Sequence, residues 1–584
     1  MKRKNLFCWM LFINLICPFF PMQTTDREYH VGKDQSISSS YPKNSNNNLP
    51  TNLTALHIIN FTSNYSCKMA RLSLKGIINE DGPKLFGIND EKDRFWCEYL
   101  LNRLEPQEVH YYNNFSSLIT TFKSNISGLI VYDPDNLHTR NIGIPLCGIE
   151  NAILADPQLA EYLHNHFSIP ILDDLNLAQK WKENTEYLEM YKWLYDNYLK
   201  QNKLNEQTLA LQGPQRADLI DLLVAENIFT LWDINTLESD KAELDFISKV
   251  FNFYPQNSPI LGYPYATGAN EGNTVRLISE AGLYLVASDF SSNLGFCNHL
   301  EFGVETYSQD RTWENNPPQL ENKLYISFLV SDGDNLQFME NQMLEIWKQK
   351  NRTSEIPVGW SISPLALKYA PHLVDFYYSN ATNSDYFVAG PSGAGYVYPD
   401  VMNTDAYEEF LKLTDTYMDE LDLSEIWALG LSKPDIISNT VRGTDSEALF
   451  VGYSEMVWDT IRLTDNNVPL FTMFKCGIES SELTSCLGDI LKWNSLEQPL
   501  FLPVWIHCWS QDFRFIEEVV EYSSTENLNI EFVRPDQFVY LYSCSLSQMR
   551  MDFYSLGLHV AIFTFLGLAS YFLWKKNDKG GINR

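Results

Sequence analysis

The stretch LYISFLVSDGDN, residues 324–335, decides how the chain is read. Seven apolar or β-prone residues run without a polar face and then break at Ser-Asp-Gly-Asp-Asn. A run of that length bounded by turn residues is a strand buried on both sides, as in a parallel sheet. Seven further runs follow at similar spacing: PVGWSIS (357), DYFVAG (385), EIWALGL (425), ALFVGY (448), PLFTMFK (469), LPVWIHC (502) and NIEFV (529). Amphipathic stretches such as NLQFMENQMLEIWKQK and DAYEEFLKLTDTYMDEL separate most of them. Eight strand-then-helix repeats predict a TIM-barrel-like (β/α)8 domain over residues 319–545, with a doubly wound open sheet as the alternative.

Upstream, apolar runs such as SGLIVYD and GLYLVASDFSSN alternate with helical patterns. They predict an α/β unit over residues 51–165 and a second over 166–318, so the fold class is α/β throughout. Residues 24–50 are rich in Ser and Asn without apolar period and read as a disordered leader.

Both ends carry membrane signals. A basic head and apolar run at residues 1–23 reads as a signal peptide. The apolar stretch 554–574, followed by the basic tail 575–584, reads as a single-pass transmembrane helix. Together they predict a type I membrane protein of the secretory pathway with an extracellular or lumenal ectodomain. Eight of the ten cysteines lie outside the leader, an even number that predicts some disulfides in an oxidising compartment. Sequons, among them Asn351 and Asn380 after barrel helices, predict a glycoprotein with glycans on the face opposite the strand ends.

The net charge of −31 argues against nucleic acid as a partner, because phosphate binding needs a basic surface. No CxxC or zinc-like spacing occurs, so neither a metal nor any other cofactor is expected. The sequence leaves the oligomeric state open.

In a (β/α)8 domain the chemistry sits at the carboxyl ends of the strands. The first strand ends in Asp332, Asp334 and Asn335, two carboxylates close enough to push their pKa values apart and serve as acid and base. Glu455, after the fifth run, is a third catalytic candidate. Later ends contribute Lys475 and Glu479, His507 with Trp509 and Asp512, and Arg534 with Asp536. The third strand runs into GPSGAGYVYPD, residues 390–400, a turn that places Gly393, Gly395, Tyr396, Tyr398 and Asp400 on the same rim. Aromatic rings beside carboxylates suit a glycan, whose C–H faces stack on rings while its hydroxyls bond to acids. Glu271 and Asp289, from the second α/β unit, line the cleft if that unit packs over the rim.

The stretch GAGYVYP, Gly393 to Pro399, together with SDGDNLQ and GWSISP, resembles the GxGYxYP family of putative glycoside hydrolases. The resemblance implies an α/β amino-terminal region, a TIM-barrel-like carboxyl-terminal domain and a glycan substrate. It supplies no established nucleophile, so the acid assignments rest on position and chemistry. Two readings follow: a membrane-anchored glycoside hydrolase, or a carbohydrate-recognition protein that uses the same rim without cleavage. A metal-dependent deacetylase also suits an Asp pair, but the chain lacks the HxxxH pair of that class.

Overall fold

A computed structural model describes residues 51–548 except 61–64, 182–184, 265–267, 305, 351–354, 453–461, 465–466, 476–478 and 494–496. Four sheets organise it. Two have three strands each, centred on Ala55–Asn60 and on Gly128–Val131. A third has four, in the order Tyr284–Ala287, Pro259–Gly262, Leu209–Leu211, Phe229–Leu231. All three sheets are parallel, with helices between successive strands; Ala55–Asn60 is only partly buried, whereas Gly128–Val131, Leu209–Leu211 and Pro259–Gly262 are buried throughout. Burial on both faces is why those strands read as unbroken apolar runs.

The fourth and largest sheet contains the eight runs read from the sequence. Its pairing differs from a regular (β/α)8 barrel. Five consecutive strands follow Leu324–Val330 in order: Val358–Ile362, Asp385–Ala389, Glu425–Leu429, Ala448–Gly452 and Pro469–Thr472. The seventh run, Leu500–Ile506, lies along the whole of Leu324–Val330 on its other side. The eighth, Ile530–Phe532, takes no place between the seventh and the first. It pairs with the amino-terminal half of Leu324–Val330, where Val358–Ile362 has splayed away and keeps only the Leu329 and Val330 end. Around Met473 the sixth run turns from the Ala448–Gly452 edge to the Leu500–Ile506 edge. The result is a curled parallel sheet, half-barrel in character, and it corrects the regular eightfold barrel. A three-residue, half-buried strand has too few ladder bonds to hold a full stave of its own.

The single-pass anchor is corrected as well. Among the described residues no helix is long and apolar enough to cross a membrane. The longest, Thr404–Glu420, has 17 residues with a polar face, whereas a span needs about 20 apolar ones. The segment read as the span, 554–574, and the signal peptide lie outside the described residues, as does the leader 24–50. The integral-membrane partnership and the type I placement in the secretory pathway are corrected on the same finding. The expected disulfides are not seen either: among the described residues Cys67, Cys97, Cys147, Cys297, Cys508 and Cys544 are free thiols. Four of them are buried in different parts of the core and act as small apolar side chains.

Beneath the curled sheet, Lys350 closes the first helix of the domain and pairs with Asp385 at 2.7 Å, both side chains fully buried. Asp385 also accepts the indole N–H of Trp360 at 2.9 Å. Breaking a buried pair strands a charge in low dielectric. Lys350→Ala is therefore expected to cost about 3 kcal/mol or more of unfolding free energy by urea titration, whereas Lys412→Ala, which removes an exposed pair, is expected to leave the midpoint unchanged.

Candidate functional site

The strand Leu324–Val330 delivers Ser331 to Asn335 to the place where two sheets meet. Asp332 adopts a left-handed backbone, φ 67°, and its carbonyl accepts the N–H of Asn335 at 3.1 Å, which closes the turn. Gly333 sits so close to the next strand that a Cβ would lie 2.1 Å from the carbonyl carbon of Ser361. Only glycine fits there, and its N–H donates to the Ser361 hydroxyl at 2.8 Å. The Asp332 carboxylate, partly exposed, accepts the indole N–H of Trp509 and the thiol of Cys508. Asp334 points inward and is 6% exposed. Burial holds its carboxyl well above the usual range, and the charges of Asp332 and Glu271 add to the effect.

Glu271 arrives from the four-stranded sheet, on the helix Gly268–Glu280 that follows Pro259–Gly262. Its Oε1 accepts the phenol of Tyr396 at 2.8 Å, and the Tyr263 phenol bonds to the same carboxylate. Burial raises the Glu271 pKa, the two phenols pull it down, and the charge of Asp332 pushes it up again. The Tyr396 and Tyr398 hydroxyls lie 3.3 Å apart.

The glycine-rich loop supplies Tyr396 by extending a sheet. Leu285 and Tyr396 exchange backbone hydrogen bonds of 3.1 and 2.8 Å, so the loop covers the free edge of Tyr284–Ala287. Gly393 takes φ 122° against Thr414, a conformation other residues avoid. Gly395 brings the backbone against the Tyr284 ring. One strand end further on, Ala287 bridges to Asn335. The carboxyl edges of two independent sheets are thus stitched together, with Asp332, Asp334 and Glu271 between them.

Of the residues singled out from sequence, the structure gathers Asp332, Asp334, Glu271, Tyr396, Tyr398 and Trp509. Tyr396 is only 3% exposed and offers its hydroxyl, not a ring face; Trp509, 41% exposed, is the ring on the rim. Asp289 lies buried at the neighbouring strand end, its pKa pushed up to about 6 by burial against the pull of Arg216. Other residues are occupied in holding the fold. Asn335 accepts the N–H of Phe338, Asp400 clips the Ser432 and Lys433 amides, and Asp512 caps the helix Phe513–Thr525. Arg534 and Asp536 form a buried ion pair. The His507 ring nitrogen meets the Ser510 hydroxyl at 3.1 Å, and Glu479 is exposed. Glu455 and the Lys475 side chain lie outside the described residues. Sequence reasoning passed over Tyr263 and Cys508, although each ends an apolar run already read as a strand. Among the described residues no group of three or more His, Cys, Asp and Glu side chains is arranged to hold a metal ion.

Residues 126–202 match the GxGYxYP_N second domain, 206–299 the GxGYxYP third domain, and 322–543 the "GxGYxYP putative glycoside hydrolase C-terminal domain". The chain belongs to the GxGYxYP family. A crystal structure of a "putative hydrolase" from Bacteroides thetaiotaomicron is similar, with TM-score 0.71 and 23% identity over 85% of this chain and 96% of that one. That likeness shows a shared fold. A peptidoglycan deacetylase from Bacillus subtilis aligns over 39% of this chain and 96% of its own at 11% identity, and its TM-score of 0.21 carries no argument. No curated protein matches the chain.

A carboxyl whose folded pKa is raised binds its proton more tightly when folded, so stability falls as pH rises above the ordinary carboxylate range. Asp334→Asn removes that loss. The variant is expected to melt at a higher temperature than the parent at about pH 8, with the gap shrinking towards about pH 4; an equal gap at both pH values would contradict the burial argument.

Proposed function

We propose that this GxGYxYP protein hydrolyses a glycosidic bond at the junction of the two carboxyl edges. The observation that carries the reading is the meeting of three carboxylates from two sheets, two of them held protonated more readily than usual, beside an exposed tryptophan. Glycoside hydrolysis needs one carboxyl to protonate the leaving oxygen and a second carboxylate as base or nucleophile. Glu271, nearer solvent than Asp334, is the proton donor, and its two phenols orient it. Asp332, fixed by the Trp509 and Cys508 donors, is the second carboxylate. Asp334 lies behind both and, kept neutral, positions them without its own charge. The Trp509 ring is the surface on which a sugar face stacks, with its indole N–H already committed to Asp332.

The test is release of reducing ends from a broad glycan panel. Glu271→Gln and Asp332→Asn are each expected to lower kcat by roughly 10²–10⁴-fold with small changes in KM, whereas Asp400→Asn, in a structural clip, changes neither beyond about twofold. A parent protein that binds glycans, releases nothing and loses binding in Trp509→Ala would replace hydrolysis with recognition on the same rim.

A further inference from the structure

A cavity of about 510 Å³ lies at the carboxyl ends of Leu209–Leu211 and Phe229–Leu231, and none of the three carboxylates lines it. Crevices outside the carboxyl ends of parallel strands are where α/β folds hold ligands, and this volume lies within the usual range for small molecules. The lining is specific in its chemistry. Asp233, Asn235 and Glu243 contribute acceptors and an amide, and His138, Tyr187 and Trp232 contribute rings. Neither lysine nor arginine lines it.

The polar groups are held in place. The buried Glu243 carboxylate accepts the Trp232 indole N–H at 2.7 Å and also bonds to the Tyr187 phenol. His138 stacks on Tyr187 with centroids 4.7 Å apart and planes 16° from parallel. Its Nδ1 lies 3.1 Å from the Tyr191 hydroxyl, which itself accepts the amide of Asn141 at 3.3 Å. With Tyr191 donating to Nδ1, the ring proton of His138 would reside on Nε2. Burial lowers the His138 pKa to about 4, so the imidazole is neutral near pH 7. The Asp233 carboxylate stands at the strand end, partly exposed to the cavity.

We propose that this cavity is a second carbohydrate site, selective for a neutral sugar, formed by His138, Tyr187, Asp233, Asn235 and Glu243. Three acidic side chains in the lining, Asp233, Glu238 and Glu243, against the single Arg216 charge that reaches Asp233 from outside it, disfavour phosphates, uronates and sialates. A neutral ring donor, fixed carboxylates and an amide match the hydroxyls of a sugar, and Tyr187 offers an aromatic body to its C–H surface. The inference shares the carbohydrate chemistry of the proposed function but none of its residues.

The test is binding to the full chain by isothermal calorimetry, with glucose, galactose, mannose and N-acetylglucosamine as probes and glucose 6-phosphate as the anionic control. At least one neutral probe is expected to bind the parent and Glu271→Gln alike. Asp233→Ala should weaken that binding at least tenfold. Gln215→Trp, an exposed position at the mouth that folding does not depend on, should block it while leaving glycan cleavage unchanged. The inference is overturned if no neutral probe binds at millimolar concentration, if binding survives both cavity variants, or if the phosphorylated sugar binds more tightly. Loss of binding in Glu271→Gln alone would place the sugar in the Asp332 cleft and also overturn it, while leaving the hydrolase reading intact.

Discussion

The paired backbone hydrogen bonds between Leu285 and Tyr396 hold the rest of the site in place. They join a loop of the curled sheet to the edge strand of a separate four-stranded sheet. An unpaired sheet edge is a row of unsatisfied donors and acceptors, so its capture by the glycine-rich loop removes a liability as it builds a cleft. Once that edge is fixed, the Tyr396 phenol reaches Glu271 and the Tyr398 hydroxyl, and Asp334 is almost entirely shut off from water. The raised pKa values of both acids follow from the junction more than from either sheet alone.

A second seam supports the first. Asp93, from the amino-terminal unit, and Glu340, from the helical segment Phe338–Gln342 that follows Asp334, are buried and meet at Ser292, from the loop after Tyr284–Ala287. The Ser292 amide and hydroxyl both bond to Glu340, and the hydroxyl also meets Asp93. Burial pushes Glu340 up to about 8, with Asp93 adding to the shift. The cluster thus holds most firmly with Glu340 protonated and loosens as pH climbs through that value. Because Glu340 lies six residues beyond Asp334 on the same chain segment, the seam sets where the Asp332–Asn335 turn lies relative to the helix that carries Glu271. Trp96 reaches the same segment, its indole N–H donating to the Glu340 carbonyl at 3.0 Å.

Several elements were legible before any coordinates. The runs from Leu324 to Phe532 were readable as strands because burial on both faces leaves a continuous apolar signature. Asp332 and Asp334 were readable as site residues because they follow such a run directly. Other features were misread for identifiable reasons. Tyr396 and Tyr398 were expected to offer ring faces, but a tyrosine's sequence context does not say which end will be buried. Asp400, read as a rim residue for substrate, and Asp512 satisfy backbone amides, since a carboxylate after a strand suits either task. The six free thiols among the described residues show that an even cysteine count says nothing about which side chains approach one another.

By itself the sequence determined the α/β character, the positions along the chain of the eight runs that enter the large sheet, the turn chemistry of SDGDN and GAGYVYP, and the family. These depend on local apolar periodicity and on backbone conformations that few residues can adopt. Only the tertiary structure decided which strands are neighbours, that Ile530–Phe532 pairs inside the first strand's lower half, and that Glu271 faces Asp332 and Asp334 across a junction. Strand partners and electrostatic neighbours are set by distances between residues far apart in the chain, and no local pattern encodes those distances.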